Sequence, residues 1–282
     1  SYKNETREIG YFSSGSTGNP KLIIISSAIA HACHKKVLMH LEKTKDISNI
    51  ICFHDTSFVI SLNYILLSLI TGASLRSISS TMPLKIIKEI KDFGKNSLVI
   101  SVPSMWESIL PLLRSRNLHI HSIISCGEPL LWKVGNQLIK YALVNCSNMY
   151  GAAEFASWIF TYKLFEANAL TQINPYVPIG YPLEGVKVVI EDEMLGVNCN
   201  HMSNKYIFKN RIERPEYKIK NGCEYLFIGD RAKFDHKTSV YYCLGRKDGL
   251  VKIKGIFVDL FLVKEELTKK FQDINLLVFK GR

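Results

Sequence analysis

Short apolar runs alternate with helix-length segments through the first half of the chain, and this alternation restricts the fold more than any other feature. It predicts strands at 22–25, 50–53, 74–78, 98–102, 120–125 and 146–149, and helices at 27–41, 59–70, 83–93, 103–114 and 130–142. Such a rhythm is typical of parallel βαβ units, in which helices cover both faces of one sheet. We therefore predict an α/β fold whose ligand-binding turns follow the carboxyl ends of the strands. From about residue 177 onward, short strands and turns replace the rhythm.

The composition is that of a soluble globular protein. The chain has 282 residues, of which 47% are hydrophobic and 22% charged, and its net charge is +11. The lysines are scattered and no run of five basic residues occurs, so we predict no nucleic-acid binding. Seven single cysteines without a C-x-x-C pair indicate reduced thiols and a cytoplasmic location, rather than disulfides or a zinc site.

One uncharged stretch, at 56–75, is long enough to cross a bilayer. Serine, asparagine and threonine residues interrupt it, so we predict a buried helix that ends at Gly72 and no membrane association. The charged N-terminus differs from a signal peptide. The close histidine pairs at 31 and 34 and at 119 and 121 lack further metal-binding neighbours, and we interpret them as surface or hydrogen-bonded histidines.

A loop rich in glycine and hydroxyl groups lies between two apolar runs, and its sequence at 11–21 is YFSSGSTGNPK. Glycines let the backbone approach a ligand closely, and the hydroxyl and backbone N–H donors suit a triphosphate. It is not a Walker A loop, because Pro20 stands where that motif has a glycine. A polar surface loop is the alternative, but two flanking strands would hold this loop in place. We predict phosphate binding by Lys21 and by the loop residues Ser13, Ser14, Gly15, Ser16, Thr17 and Gly18.

Four further segments follow the loop: SCGEPL at 125–130, NMYGAAE at 148–154, IGD at 228–230 and GRKDGLVKIKG at 245–255. Together with the loop they resemble, in order, the signatures of the adenylate-forming superfamily, and the chain is most similar to nonribosomal peptide synthetase adenylation domains. The resemblance implies an AMP-forming ligase that uses ATP and Mg²⁺. It also implies a large domain with helices packed on a mainly parallel sheet, then a distorted β region and the start of a small C-terminal α+β subdomain.

The resemblance also implies a nucleotide site. Beyond the loop, its ATP-binding residues would be Gly127, Glu128, Pro129, Asn148, Met149, Tyr150, Gly151, Ala152, Ala153, Glu154, Asp230 and Arg246. Lys21, Glu154 and Arg246 would be catalytic, and Glu154 would bind Mg²⁺ as a hard oxygen ligand. Tyr150 could stack on the purine, and Asp230 could accept both ribose hydroxyls. Without the resemblance, a residue such as Glu154 is more often a solvated surface carboxylate, and Asp230 fits a turn-capping residue equally well.

The segment FHDTSF at 53–58 resembles the F-D-x-S segment of peptide synthetases, with His54 inserted. The resemblance implies that Asp55 pairs with the α-ammonium of an amino-acid substrate, because a buried cation requires a counter-charge. Alternatively, Asp55 is a loop or N-cap residue before the next helix. The other substrate-binding residues would be Thr56, Val59, Ile100, Ile124, Cys126, Met149, Ser157 and Trp158. This mostly apolar set favours a neutral, apolar substrate side chain.

The resemblance divides the chain at a hinge. Residues 1–247 would form part of the large domain, with its beginning absent, and residues 248–282 would form the hinge at Asp248 and an incomplete C-terminal subdomain. Parts of the family pattern are altered. Ala152 and Ala153 replace Pro-Thr, Ile228 replaces Thr, and residues 192–225 match poorly.

These observations predict acyl adenylation. The carboxylate of a small carboxylic or amino acid would attack the α-phosphate of ATP, giving acyl-AMP and pyrophosphate. The acyl group would then pass to a phosphopantetheine thiol on a carrier protein, or on CoA. Two alternatives stay open: an acyl- or aryl-CoA ligase, and an incomplete or inactive nucleotide-binding module.

Overall fold

The fold is known from a computed structural model of the chain. It describes residues 8–13, 21–41, 44–53, 60–78, 82–167, 175–199, 202–203, 205–208, 211–215, 217–247, 250–253 and 256–259, together with residues 263 and 267. The helices are α1 Ser27–Met39, α2 Ile60–Thr71, α3 Pro83–Phe93, α4 Pro103–Ser115 and α5 Trp132–Tyr141. The strands of the first half are β1 Glu8–Ser13, β2 Lys21–Ser26, β3 Asn49–Cys52, β4 Ser74–Ser77, β5 Ser97–Ser101, β6 Ile120–Cys126, β7 Ala142–Gly151 and β8 Trp158–Lys163. Those of the second half are β9 Tyr181–Pro182, β10 Lys187–Glu191, β11 Met194–Asn198, β12 Lys205–Phe208, β13 Arg211–Glu213, β14 Tyr217–Lys220, β15 Cys223–Asp235, β16 Val240–Arg246, β17 Leu250–Ile253 and β18 Ile256–Asp259.

A seven-stranded sheet forms the centre of the fold, in the order β4-β3-β5-β6-β7-β8-β9. The first five strands in that order are parallel, and β8 and β9 extend the sheet in antiparallel fashion. The parallel strands are joined by helices, as the alternation of apolar segments predicted. The α/β prediction is therefore confirmed.

The sheet has a hydrophobic layer on each face. Ile50, Leu98 and Ile124 point to the face that α1 and α2 cover with residues such as Val37 and Leu67. The next residues along each strand, including Ile51, Val99 and Ile123, point to the opposite face, where they meet α3, α4 and α5. Because successive strand residues face opposite sides, continuous apolar runs are what a sheet buried on both faces requires.

The predicted strand at 22–25 forms, but it does not join the parallel sheet. It lies in β2, which pairs antiparallel with β1 and β12 in a separate four-stranded sheet of order β1-β2-β12-β13. Its pairing with β1 is antiparallel because the connection from β1 to β2 is short, and parallel neighbours need a crossover of about a dozen residues or more. The inner face of this small sheet buries Tyr11, Ile23 and Ile25.

The second half of the chain, where the sequence predicted short strands and turns, forms antiparallel strand pairs. Strands β10, β11, β15 and β14 lie side by side, and β16 pairs with β15. This sheet meets the central sheet at residues 179–180, where Tyr241 N donates to Gly180 O at 3.0 Å and Ile179 N donates to Tyr241 O at 2.9 Å. The two sheets are thus connected through backbone hydrogen bonds.

Helices α1 and α2 are linked by a buried histidine. His34 bonds to Ala30 O through Nδ1 and to Asn63 Oδ1 through Nε2, both at 2.6 Å. Burial lowers the pKa of His34 and so favours the neutral ring, which carries one N–H and therefore donates in one of these two contacts. His34 is therefore a hydrogen-bonded interior histidine, in line with the expectation for this pair. Helix α2 ends immediately before Gly72, as predicted, and none of the helices in the described segments is long and apolar enough to cross a membrane.

Gly180 provides a stability test of the junction between the sheets. Its φ is +90°, and a Cβ there would lie 2.1 Å from Thr161 O on β8. We expect Gly180→Ala to reduce the free energy of unfolding by about 2–4 kcal/mol, from left-handed strain plus overpacking. Gly222→Ala is the control, because φ there is +73° but no atom lies within 4 Å of the added Cβ. It should cost about 1–2 kcal/mol. If urea unfolding shows the same loss of unfolding free energy for both variants, Gly180 does not lie in close contact with β8.

Candidate functional site

Three residues from separate motifs form one hydrogen-bonded group. Tyr150 lies at the end of β7, Asp230 within β15, and Arg246 at the end of β16 directly opposite Asp230. The Tyr150 hydroxyl donates to Asp230 Oδ2, and Arg246 Nη1 lies 3.2 Å from Asp230 Oδ1. Arg246 Nη1 also donates to Ile228 O at 3.1 Å. The motifs at 148–154, 228–230 and 245–255 therefore meet at a single carboxylate.

The carboxylate of Asp230 and its charged partner are largely shielded from solvent. The side chains of Arg246 and Asp230 are 20% and 13% exposed. Burial, and next the charge of Asp230, raises the pKa of Tyr150 well above its usual value, so its hydroxyl remains a donor. The same two causes raise the pKa of the nearby Cys243 thiol to about 12. Because Arg246 and Tyr150 both contact the carboxylate, its burial does not leave an uncompensated charge.

A second charged pair joins the phosphate-loop motif to the motif at 148–154. Lys21 is the first residue of β2, and Glu154 lies in a 3-10 turn over Ala153–Phe155 that follows β7. Lys21 Nζ lies 3.2 Å from Glu154 Oε1, and the two side chains are 28% and 13% exposed. Glu154 is thus a largely buried, paired carboxylate and not a solvated surface residue.

Two residues that the sequence did not indicate hold this pair in place. Ser203 is fully buried; its N–H donates to Glu154 O at 2.7 Å and its hydroxyl donates to Ile24 O at 2.9 Å. The ring of Tyr206 on β12 lies beneath Lys21, with Nζ 4.0 Å from the ring centroid. Both residues belong to segment 192–225, which matched the family pattern poorly, so no motif marked them.

The turn after β6 carries three of the predicted ATP-binding residues, Gly127, Glu128 and Pro129. Glu128 is buried, and its Oε2 accepts a hydrogen bond of 3.1 Å from Ser104 N in the first turn of α4. A carboxylate is stabilised there by the unpaired N–H groups of the helix. Gly127 and Pro129, on either side of Glu128, are exposed at the edge of the sheet. This turn and the end of β7 are adjacent, since Cys126 and Met149 are paired across β6 and β7.

The other predicted ATP-binding residues in the motif at 148–154 lie along β7 and the turn after it. Asn148 is buried and donates to Pro178 O at 2.8 Å, and Met149 packs in the core. Gly151 must lack a side chain because an added Cβ would lie 2.3 Å from Ser157 O. Ala152 and Ala153 are partly exposed beside Glu154.

The predicted substrate-binding residues that are described lie close together around the ends of β5, β6, β7 and β8. Strand pairing places Ile100 opposite Ile124, and Cys126 opposite Met149. All members of the set are nearly fully buried, with 0–4% exposure: Ile100, Ile124, Cys126, Met149, Ser157 and Trp158. The apolar members belong to the cluster beneath α2, whose Tyr64 hydroxyl donates to Ile100 O at 3.3 Å. Their environment is therefore apolar, as the sequence predicted.

Several predicted site residues lie outside the described part of the chain. They are Ser14, Gly15, Ser16, Thr17 and Gly18 of the phosphate loop, Asp55, Thr56 and Val59 of the substrate segment, and Asp248 of the hinge. The side chain of Ser13 is likewise outside it, although its backbone ends β1.

The described residues offer Mg²⁺ one carboxylate, not a cage. No group of three or more His, Cys, Asp or Glu residues in the described segments could hold a metal ion. Mg²⁺ is commonly bound by one or two carboxylates together with substrate phosphates and waters. Glu154, whose carboxylate is balanced by the Lys21 ammonium at 3.2 Å, fits that mode of binding.

The Tyr150–Asp230 hydrogen bond makes a direct stability prediction. We expect Tyr150→Phe to lower the free energy of unfolding by about 1.5–3 kcal/mol, the range for hydrogen bonds to charged groups. Tyr241→Phe is the matched control, because within the described segments its hydroxyl has no hydrogen-bond partner. That variant should lose less than about 0.5 kcal/mol. Similar losses for the two variants in urea unfolding would contradict the contact.

Comparison with known proteins places this arrangement in a family. The family model described as AMP-binding enzyme matches residues 10–200, more than half of the chain. The D-alanine–D-alanyl carrier protein ligase of Staphylococcus aureus (strain Newman) is 24% identical over 263 residues, which cover 91% of this chain and 53% of the ligase. The chain thus spans about half the length of the curated relatives it matches.

Solved structures show the same fold. The Vibrio cholerae adenylation domain AlmE, in complex with glycyl-adenosine-5'-phosphate, is similar with a TM-score of 0.76 and 21% identity, over 95% of this chain and 53% of that one. The o-succinylbenzoate coenzyme A synthetase MenE of Bacillus subtilis, in complex with ATP and a magnesium ion, is similar with a TM-score of 0.68 and 17% identity, over 93% of this chain and 54% of that one. With the family match, these likenesses lead to one conclusion: the chain belongs to the AMP-binding enzyme family and has the fold of its adenylation domains.

Proposed function

We propose that the protein activates a carboxylic acid with ATP, forming an acyl adenylate and releasing pyrophosphate. The observation that carries this proposal is the convergence of Tyr150 and Arg246 on Asp230. These residues come from three motifs, and the matching family is named for AMP binding. The fold of acyl-activating enzymes supports the same reaction class.

Each charged group has a task in this reaction. A carboxylate has about four lone-pair sites, so Asp230 can keep its contacts with Tyr150 and Arg246 and still accept ribose hydroxyls. Lys21 and Arg246 supply positive charge to the phosphates of ATP while the carboxylate of the substrate attacks the α-phosphorus. The protein thus acts mainly by positioning the reactants and stabilising charge.

Glu154 is the proposed Mg²⁺ ligand. When bound, the ion neutralises phosphate charge and orients the triphosphate. The support from this chain is the low exposure of Glu154 and the ammonium of Lys21 beside it. The MenE structure with ATP and a magnesium ion is a family precedent at the level of fold.

We propose an amino acid with a neutral, apolar side chain as the substrate and a carrier-protein phosphopantetheine as the acceptor. The uncharged, buried set around Ile100 and Met149 supports the side-chain class. The relatives named for D-alanine and for a glycyl adenylate support small amino acids. The first of these is also named for its carrier protein. An acyl- or aryl-CoA ligase is the second candidate, favoured by the likeness to a coenzyme A synthetase.

Two further expectations belong to the same proposal. Residues 1–247 would form part of the large domain and Asp248 the hinge to the subdomain that begins there, so that the subdomain can rotate between the two half-reactions. The seven free cysteines suit the reducing cytoplasm.

The reaction is tested by ATP–pyrophosphate exchange in the full-length protein, with a panel of amino, fatty and aryl acids. We expect exchange with at least one small apolar amino acid. Asp230→Ala should weaken ATP binding by about 1.5–3 kcal/mol, or roughly 10- to 150-fold, in isothermal titration calorimetry. Asp235→Ala on the same strand is the control, because the hydrogen bonds of Asp235 within the described segments are local, from Lys237 N and the Thr238 hydroxyl. Unchanged ATP affinity in a folded Asp230→Ala variant would refute the ribose assignment.

Asp55 separates the amino-acid and CoA-ligase candidates. Breaking a buried ion pair costs about 3–5 kcal/mol, so Asp55→Ala should reduce amino-acid-dependent exchange by roughly 150- to 5,000-fold. The matching acid without its amino group is the control, and its exchange should change little. If the wild type accepts no amino acid and the substitution has little effect, the CoA-ligase candidate replaces the amino-acid one.

A further inference from the structure

Two of the residues that contact Lys21 lie on different elements, and one of these two is charged. Its ammonium lies 3.2 Å from Glu154 Oε1 and 4.0 Å from the centroid of the Tyr206 ring. Glu154 belongs to the turn after β7, whereas Tyr206 belongs to β12. The two contacts therefore depend on separate parts of the fold.

The register of the small sheet explains why Tyr206 reaches Lys21. Tyr206 pairs with Ile23, and Lys21 lies two residues before Ile23 on β2. Residues two apart on a strand share a face, and diagonal neighbours across antiparallel strands lie within reach of aromatic and long side chains. Lys21 and Tyr206 therefore lie on the inner face of the sheet, where Tyr206 packs against the cluster containing Tyr11 and Ile23.

The aromatic ring supplies the attraction, and the hydroxyl does not. Burial, and next the charge of Glu154, raises the pKa of Tyr206 above its usual value, so the residue is neutral at ordinary pH. A cation over the face of an aromatic ring is attracted by the negative face of the π system, and the attraction is strongest where water is scarce. Lys21 is only 28% exposed, so the contact is partly shielded from solvent.

The two partners of Lys21 differ in what happens when Mg·ATP enters. Glu154 is the proposed Mg²⁺ ligand. Its attraction for Lys21 would therefore weaken when its carboxylate binds the ion. The Tyr206 ring has no such competing partner in the proposed reaction, and it can hold the ammonium while a phosphate oxygen takes the place of the carboxylate.

We propose that Tyr206 is a positioning residue whose ring holds the Lys21 ammonium beside Glu154, so that the ammonium is already in place to receive a triphosphate. The part of this inference that concerns ATP rests on the proposed function; the part that concerns Lys21 in the free protein does not. The proposed role of Tyr206 is also a role for segment 192–225, in which no family motif was recognised.

The first measurement needs no nucleotide. The rate of Lys21 acetylation at pH 8 is determined by mass spectrometry in the wild type, Tyr206→Leu and Tyr206→Phe. The ring covers one side of the Lys21 amine and holds its side chain in place, so in Tyr206→Leu the released Lys21 should be acetylated about two- to thirty-fold faster, the range that a cation–π contact spans. Tyr206→Phe keeps the ring and should retain the wild-type rate. Lys205, which is adjacent on β12 and paired with Glu8 at 2.8 Å, is the internal control and should not change.

A second variant provides a control in case Tyr206→Leu misfolds. Pentafluorophenylalanine introduced at residue 206 keeps an aromatic shape and removes the negative face of the ring. It should accelerate Lys21 acetylation in the same direction as leucine. An unchanged Lys21 rate in both variants, or an equal rise at Lys205, would overturn the inference.

ATP affinity separates this inference from the proposed function. By calorimetry, Tyr206→Leu should bind ATP about two- to thirty-fold more weakly, and Tyr206→Phe should bind like the wild type. In exchange assays the KM for ATP should rise with little change in kcat. If Lys21 acetylation responds but ATP affinity does not, Tyr206 has no role in nucleotide binding. If the wild type binds no ATP at all, the proposed function fails, while the acetylation result still decides whether the ring holds Lys21.

Discussion

The contact between Tyr150 and Asp230 is the interaction on which the candidate site most depends. Tyr150 ends a strand of the central sheet, and Asp230 lies in the antiparallel sheet of the second half, 80 residues later. Arg246 adds a charged contact to the same carboxylate, from the strand next to it. Since a buried carboxylate is costly unless it is paired and hydrogen-bonded, these contacts together make it possible to place Asp230 between the sheets.

The small sheet makes a second connection of the same kind. Ser203 bonds to Glu154 O and to Ile24 O, so it joins the turn after β7 to β2. Lys21 and Glu154 then face each other across that junction at 3.2 Å. Glu154 and Asp230 therefore each have a cation on a different element, and the relative positions of the elements fix the relative positions of these charges.

The central fold could be predicted from the sequence because each of its elements carries a local signal. Apolar runs such as 98–102 and 120–125 are the signature of strands buried on both faces, and they appear as β5 and β6. The strand at 22–25 was also predicted, but its partner was not, because pairing depends on the length of the connection and on a strand 180 residues later. Local periodicity contains no information about such distant partners.

The motif residues of the site could be predicted for a different reason, namely their resemblance to family signatures. Lys21, Glu154, Asp230 and Arg246 all stand in such motifs, and the structure brings them together in two groups. Ser203 and Tyr206 stand in no motif, and their importance comes only from where β12 pairs. Tyr150 illustrates a mixed case: its motif was recognised, but its hydrogen bond to Asp230 follows from tertiary packing alone.

The most direct test of the connection between the sheets is a double-mutant cycle on Tyr150 and Asp230, with the free energy of unfolding as the readout. Tyr150→Phe, Asp230→Ala and the double variant are compared with the wild type in urea. If the phenol and the carboxylate are bonded as described, the two substitutions should be non-additive by at least about 1 kcal/mol. Losses that add to within about 0.3 kcal/mol would show that the two side chains act independently, and would contradict the account.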